Sequence, residues 1–91
     1  MGSDEIRDKI RTFLVENFLA LGDATELDDG ESLLEMGIID STGVLELVGF
    51  LEQTFGLGVQ DQEVVPENLD TVDNVVTYVV GKLAIAPAKS A

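Results

Sequence analysis

The 91-residue sequence contains neither cysteine nor histidine. The absence of cysteine excludes disulfide bonds, thiolate metal sites and cysteine nucleophiles, and the absence of histidine excludes a Ser-His-Asp triad and imidazole metal ligands. These absences argue against a small hydrolase and against a metal site. The acidic pair Asp28–Asp29 does not change this, because an EF-hand alignment on Gly30 places Met36 where a bidentate glutamate is required.

Basic residues are also scarce. Five Lys and Arg stand against 18 Asp and Glu, and the formal net charge is −13. Because a phosphate-backbone binder needs clustered basic side chains, we expect no nucleic-acid or anionic-membrane partner. Basic protein surfaces are the expected partners, approached by electrostatic steering. The chain has neither a signal-peptide pattern nor an apolar run near the roughly 18 residues of a membrane span, so we expect the cytoplasm.

Apolar residues are nevertheless frequent enough for a core. Leu, Ile, Val and Phe make up 32 of the 91 residues, well above the roughly 20% below which disorder is expected. Ninety-one residues correspond to one small domain.

The spacing of the apolar residues predicts an all-α fold. A first helix begins at Ser3 or Asp4 and ends at Gly22, because Gly accepts the left-handed conformation that follows a last helical turn. Its apolar residues recur at helical spacing and are expected to form one buried face: Ile6, Ile10, Phe13, Leu14, Phe18 and Leu21.

Two further long helices are predicted over Ser41–Phe55, before Gly56, and over Thr71–Leu83, with Asp70 or Thr71 as the cap. The core stripe of the second helix is Val44, Leu47, Val48, Leu51 and Phe55. The valines of the last helix favour a strand by propensity, but their period of about 3.6 indicates a helix. Its core stripe is Val72, Val75, Val76, Val79, Val80 and Leu83.

The connecting segments complete the expected architecture. Residues 23–40 form a long acidic first loop, with a turn near Ser32–Glu35 and a short third helix expected later at Asp61–Val65. The apolar residues of the loop are expected to pack on the bundle: Leu27, Leu33, Leu34, Met36, Ile38 and Ile39. We therefore expect a small four-helix bundle over residues 1–83, with three main helices and one short helix, and a flexible tail over 84–91.

The pair Asp40–Ser41 stands where the second helix begins. Taken alone, an Asp-Ser pair before an amphipathic helix is ordinary capping. A hydroxyl at this position also lies beside free backbone N–H groups and the positive end of the helix dipole, which favour a phosphate ester on its oxygen. The long loop before it leaves room for a large partner.

These motifs resemble the acyl carrier proteins and, more broadly, the phosphopantetheine-dependent carrier proteins. The resemblance covers about residues 4–83, and its most specific element is Asp40–Ser41 at the start of a helix. Three further stretches contribute to it: residues 33–37 (LLEMG), 44–48 (VLELV) and 65–69 (VPENL).

The resemblance implies that Ser41 is the attachment site of 4′-phosphopantetheine, transferred from coenzyme A by a phosphopantetheinyl transferase. Asp40 would help recognition or metal positioning during that transfer, with magnesium bound chiefly on the transferase. The arm ends in a thiol that carries acyl groups as thioesters. The protein, expected to be a monomer, would therefore present intermediates to other enzymes and would not itself be an enzyme.

The resemblance also implies that the second helix faces the partners, which are acyl or aminoacyl ligases, synthases and acyltransferases with basic docking surfaces. Glu46 and Glu52 match the acidic residues that meet Lys and Arg on partner enzymes, and Leu45 matches an exposed apolar contact. Thr42 and Gly49 are expected on the same partner-binding side. Simple solvation is the alternative for each glutamate.

Departures from the common fatty-acid carriers indicate a specialised member. Thr42 follows the serine where those carriers have Leu, Gly43 and Gly49 lie in the helix, and Ile38–Ile39 resembles the D-alanyl carrier proteins. The main interpretation is an acyl carrier in fatty-acid or specialised lipid or polyketide-type biosynthesis. Two alternatives are an aminoacyl or peptidyl carrier loaded by an adenylating ligase, and an acidic helical adaptor without a prosthetic group. The sequence does not identify the cargo or the cognate enzymes.

Overall fold

A computed structural model describes residues 2–18 and 28–85 of the chain. These ranges contain four α-helices, numbered in chain order as α1 (Ser3–Phe18), α2 (Ser41–Phe55), α3 (Pro66–Leu69) and α4 (Val72–Ile85). The predicted small all-α fold, with three main helices and one short helix, is confirmed. Across the same ranges, none of the helices combines the length and the apolar character that crossing a membrane requires.

Helix α1 buries the face that its apolar spacing predicts. Ile6, Ile10 and Leu14 are buried, and Phe13 and Phe18 pack against the core while partly exposed. The described part of the helix ends at Phe18. The predicted final residues of this helix, Leu21 and Gly22, lie outside the described residues.

Helix α2 has the predicted bounds because a specific residue stops the helix at each end. Asp40 precedes it in an extended conformation, and its Oδ1 accepts a hydrogen bond from Gly43 N at 2.7 Å. Gly56 follows it with a left-handed φ of 68°, and its N–H donates to the carbonyl of Glu52. The predicted core stripe faces inward, with Val44 and Val48 only partly buried.

Helix α4 is capped by Thr71, whose Oγ1 accepts a hydrogen bond from Asn74 N at 2.9 Å. Val80, predicted in the core, is 41% exposed. Each residue advances the helix by about 100°, which places Val80 at the edge of the stripe, beyond the fully buried Val75 and Val79. The helix continues to Ile85, two residues past its predicted end. The rest of the predicted tail, residues 86–91, lies outside the described residues.

The connection between α2 and α4 differs from the prediction. The short helix was expected at Asp61–Val65, but only Asp61–Glu63 forms a 3-10 turn, and the short α-helix is Pro66–Leu69. Pro66 occupies the first helical position, where its fixed φ and missing N–H are well suited. The proline therefore starts a helix, and Leu69 in that helix is buried.

Candidate functional site

The first loop reaches α2 through a turn that Asp70 holds in place. The Asp70 backbone carbonyl accepts from Leu33 N at 2.7 Å, and its carboxylate accepts from Leu34 N at 3.0 Å and Ser32 Oγ at 2.5 Å. Leu33 and Ile39 are buried. The predicted turn after Ser32 and the packing of the loop on the bundle are thus confirmed for these residues.

Two apolar residues of this loop do not pack as predicted. Leu34 is 42% exposed and Met36 is 39% exposed. The turn that follows Ser32 directs its backbone N–H groups inward to Asp70, and it closes at Gly37 with a left-handed φ of 72°. The chain is therefore too sharply bent to bury successive side chains. Leu27 lies outside the described residues.

The start of the described loop is tied to both long neighbouring helices. Asp29 accepts a hydrogen bond from Arg7 Nη1 at 2.7 Å and pairs with Arg11. Arg7 Nη1 also lies 2.5 Å from Asp73 Oδ1, and the Asp29 carbonyl accepts from Asp73 N at 2.9 Å. Hydrogen bonds to Asp73 and Asp29 raise the pKa of the Arg7 guanidinium. The loop that precedes the site is thereby joined to α1 and α4.

Ser41 is the first residue of α2 and its side chain is exposed. The capping role belongs to Asp40, since its carboxylate bonds to Gly43 N and its carbonyl accepts from Val44 N at 2.9 Å. The first helical turn offers N–H groups without intrahelical acceptors, and the helix dipole is positive there. An exposed hydroxyl in this position suits a phosphate ester.

An apolar pocket of about 320 Å³ opens beside Ser41. Its walls come from three segments: the first loop (Leu34), α2 (Val44 and Leu45), and the segment before α4 (Val64, Val65, Pro66, Leu69 and Asp70). The sequence does not indicate this pocket, because its walls are three segments that helical periodicity does not bring together. A pocket of this composition accepts an apolar group better than a charged one.

The carboxylate of Glu63 holds in place the pocket wall that begins at the next residue, Val64. Glu63 Oε1 accepts hydrogen bonds from Gln60 N at 3.0 Å, Lys82 Nζ at 3.0 Å and Tyr78 OH at 3.1 Å. The Gln60 N–H, followed by the Lys82 ammonium, holds the pKa of Glu63 below its usual value. Burial, followed by the bond to Glu63, raises the pKa of Tyr78.

The structure brings most of the predicted partner-facing residues close to Ser41 along α2. Thr42, Leu45 and Glu46 are exposed, and Leu45 is 66% exposed. Gly49 is half-buried, although an added Cβ would meet nothing within 4 Å. Glu52 is half-buried, and its Oε2 accepts from Val59 N at 3.0 Å. This bond gives Glu52 a role in the loop after α2, apart from any contact with a partner.

Comparisons with known proteins agree with this geometry. Residues 9–79 match the family model described as "Phosphopantetheine attachment site". The chain is 35% identical over 75 residues to an acyl carrier protein of Campylobacter hominis, covering 82% of this chain and 90% of that protein. It is 32% identical over 74 residues to "Probable acyl carrier protein PigG" of a Serratia species, covering 81% and 84%. It is 32% identical over 76 residues to a D-alanyl carrier protein of Streptococcus suis, covering 84% and 92%.

Proposed function

Because the chain belongs to the acyl carrier protein family, whose phosphopantetheine attachment domain it contains, we propose that it carries acyl groups on a 4′-phosphopantetheine arm bonded to Ser41. The exposed position of Ser41 at the start of α2 carries this proposal. In this role the chain presents a bound group to synthase and transferase enzymes and performs no chemistry itself.

The residues around Ser41 fit such a group. Its oxygen is accessible, and the positive end of α2 favours the phosphodiester that attachment creates. Asp40 keeps the first turn of the helix formed and places a carboxylate one residue before the hydroxyl, where it would help to orient the metal ion of the transferase. When attached, the arm supplies a mobile thiol to which the cargo is bonded.

The apolar pocket beside Ser41 supports an acyl cargo. Each methylene that enters it would gain about 0.8 kcal/mol from the removal of apolar surface from water. The resemblance to a D-alanyl carrier protein supports a second candidate, an aminoacyl cargo. The pocket lining also includes one carboxylate, that of Asp70, which already accepts hydrogen bonds from Ser32 Oγ and Leu34 N. A charged amino group would therefore gain less from this pocket than an acyl chain does.

Attachment at Ser41 is tested by intact mass after incubation with coenzyme A and a broad-specificity phosphopantetheinyl transferase. The wild type is expected to gain one phosphopantetheine, and Ser41→Ala to gain none. Ser3→Ala is the matched control, because Ser3 is also an exposed serine at the first position of a helix. Absence of the gain in the wild type, with a transferase that modifies another carrier, would instead favour the acidic adaptor.

Docking through α2 is tested by Glu46→Lys, which reverses an exposed charge one turn from Ser41. We expect a higher KM for the transferase or for a partner enzyme, and a weaker dependence of KM on salt. Glu5→Lys, an equal charge change on α1, is the control. Glu52→Lys is a poorer test, because it also breaks the bond to Val59 N. Equal KM values for both variants and the wild type would exclude this docking surface.

The cargo class is tested by methyl NMR of Val44 and Leu69, which line the pocket. The protein is loaded with an octanoyl group in one sample and with an alanyl group in another. An acyl carrier should show shifts at both residues with octanoyl and not with alanyl. Unchanged methyl signals with octanoyl would remove the structural support for an acyl cargo.

A further inference from the structure

Gly43 lies two residues after Ser41, in the first turn of α2, and it is buried. Among the described residues, the glycines with a left-handed backbone are Gly37 and Gly56. The helical backbone at Gly43 is therefore open to any residue, and alanine would favour the helix more than glycine does. Glycine is therefore needed at this position because of neighbouring residues outside the helix, and not because of the backbone conformation.

The neighbours of Gly43 leave no room for a side chain. An added Cβ would lie 2.6 Å from Ile39 Cγ1, 2.9 Å from Phe18 Cε1 and 3.3 Å from Asp40 Oδ1, whereas ordinary contacts are 3.4–4 Å. Ile39 is only 3% exposed, so it has no free path into solvent. Two of these three groups belong to the residues immediately before Ser41.

We infer that Gly43 is a positioning residue for Ser41. Its missing side chain lets Ile39 and Asp40 close over the first turn of α2, and this closure sets the direction of the Ser41 hydroxyl toward an incoming transferase. The inference rests on the proposed attachment at Ser41. With alanine at position 43, the distance from its Cβ to Ile39 Cγ1 would have to grow from 2.6 Å to at least 3.4 Å, a shift of about 0.8 Å. A misplacement of about 1 Å in a reacting group slows reactions by up to about 100-fold.

The test compares Gly43→Ala with the wild type in transfer from coenzyme A by a phosphopantetheinyl transferase. Rates are measured at a temperature where circular dichroism shows each variant to have the same helical content as the folded wild type. We expect kcat to fall by about 10- to 100-fold. KM for the carrier should stay unchanged, because Leu45 and Glu46 keep their exposed positions. The control is Gly81→Ala, since Gly81 is an exposed helical glycine of α4 where a Cβ meets nothing within 4 Å. It should load as the wild type does.

A second readout does not depend on the transferase. The amide proton of residue 43 bonds to the Asp40 carboxylate, and its NMR signal should move upfield in Gly43→Ala as that bond lengthens. Gly43→Ala with Ile39→Ala removes the nearest obstruction. The double variant should recover both the amide signal and part of the loading rate. If Gly43→Ala does not fold, the double variant is compared with Ile39→Ala, and its added Cβ should still slow loading because Phe18 Cε1 would lie 2.9 Å from it.

Loading of Gly43→Ala at the wild-type kcat, a change in KM alone, or no recovery in the double variant would each overturn the role of Gly43. Ser41→Ala separates the two proposals. If Ser41→Ala is still loaded, the attachment site is wrong. If Ser41→Ala is not loaded and Gly43→Ala is loaded normally, attachment at Ser41 stands and only the role of Gly43 fails.

Discussion

At the residue scale, single carboxylates join parts of the chain that are distant in sequence. Glu63 accepts hydrogen bonds from Gln60, Tyr78 and Lys82, which connects the pocket wall to α4. Its carboxylate is only partly exposed, with 29% of the side chain accessible. The pair with Lys82 is consequently better shielded than a fully exposed ion pair, and its contribution should depend on pH.

Glu63→Gln is expected to lower the free energy of unfolding near neutral pH by about 1 kcal/mol or less, because glutamine keeps an acceptor but loses the charge. The pKa of Glu63 is lowered from 4.5. Its stabilisation is therefore present above about pH 4.5 and is lost as pH falls through the folded-state pKa. Urea unfolding at neutral and acid pH should show the difference from wild type shrinking in acid. Glu67→Gln, an exposed glutamate of α3, is the control, and a pH-independent difference would contradict the prediction.

Gly56 and Gly49 allow one substitution to be compared at two backbone conformations. Gly56→Ala should destabilise the protein by about 1 kcal/mol, because an L side chain is strained in the left-handed conformation. Gly49→Ala should stabilise it by up to about 1 kcal/mol, since alanine favours the helix and its Cβ meets nothing within 4 Å. Urea midpoints measure both. The same sign of change in the two variants would rule out this explanation.

At the element scale, the described part of the first loop, residues 28–40, is ordered by its neighbours and has no regular structure of its own. Asp29 joins its start to α1 and α4, and Asp70 holds the turn that carries the buried Leu33. Because Leu34 in this turn also lines the pocket, the bonds that order the loop also shape the site beside Ser41.

Asp70→Ala should release this turn without unfolding the helices. The variant loses acceptors for Ser32 Oγ and Leu34 N, and loss of hydrogen bonds to a charged group costs about 1–3 kcal/mol. Amide hydrogen exchange should therefore accelerate at residues 34–39 before it does in α1 or α4. Asp61→Ala, which removes an exposed carboxylate from the 3-10 turn, is the control. Unchanged protection of the loop in Asp70→Ala would show that apolar packing alone orders it.

At the scale of the whole molecule, repulsion between acidic side chains opposes folding. The net charge is −13, and three of the few basic side chains, Arg7, Arg11 and Lys82, already pair with acidic ones. The same excess of negative charge favours partners with basic surfaces, because it steers them at long range.

Added salt should stabilise the protein, since unfavourable charge pairs outnumber the favourable ones that salt also screens. We expect Tm to rise by several degrees between about 0.01 and 0.5 M sodium chloride, as the Debye length falls from about 30 Å to a few ångström. Potassium chloride should have the same effect if screening is the cause. A fall in Tm would show that the ion pairs of Arg7 and Lys82 outweigh the repulsion.

The three long helices, the bounds of α2 and the place of Ser41 could be predicted from the sequence, because their causes act within a few residues. Asp40 caps the N–H three residues away, Gly56 ends the helix at its own backbone, and apolar periodicity selects the buried face. The folded structure was needed to show the exposure of Val80, the pocket, the pairing of Asp29 and the crowding at Gly43. Each of these depends on a contact with another segment, and local spacing does not specify which segments meet or how closely they approach.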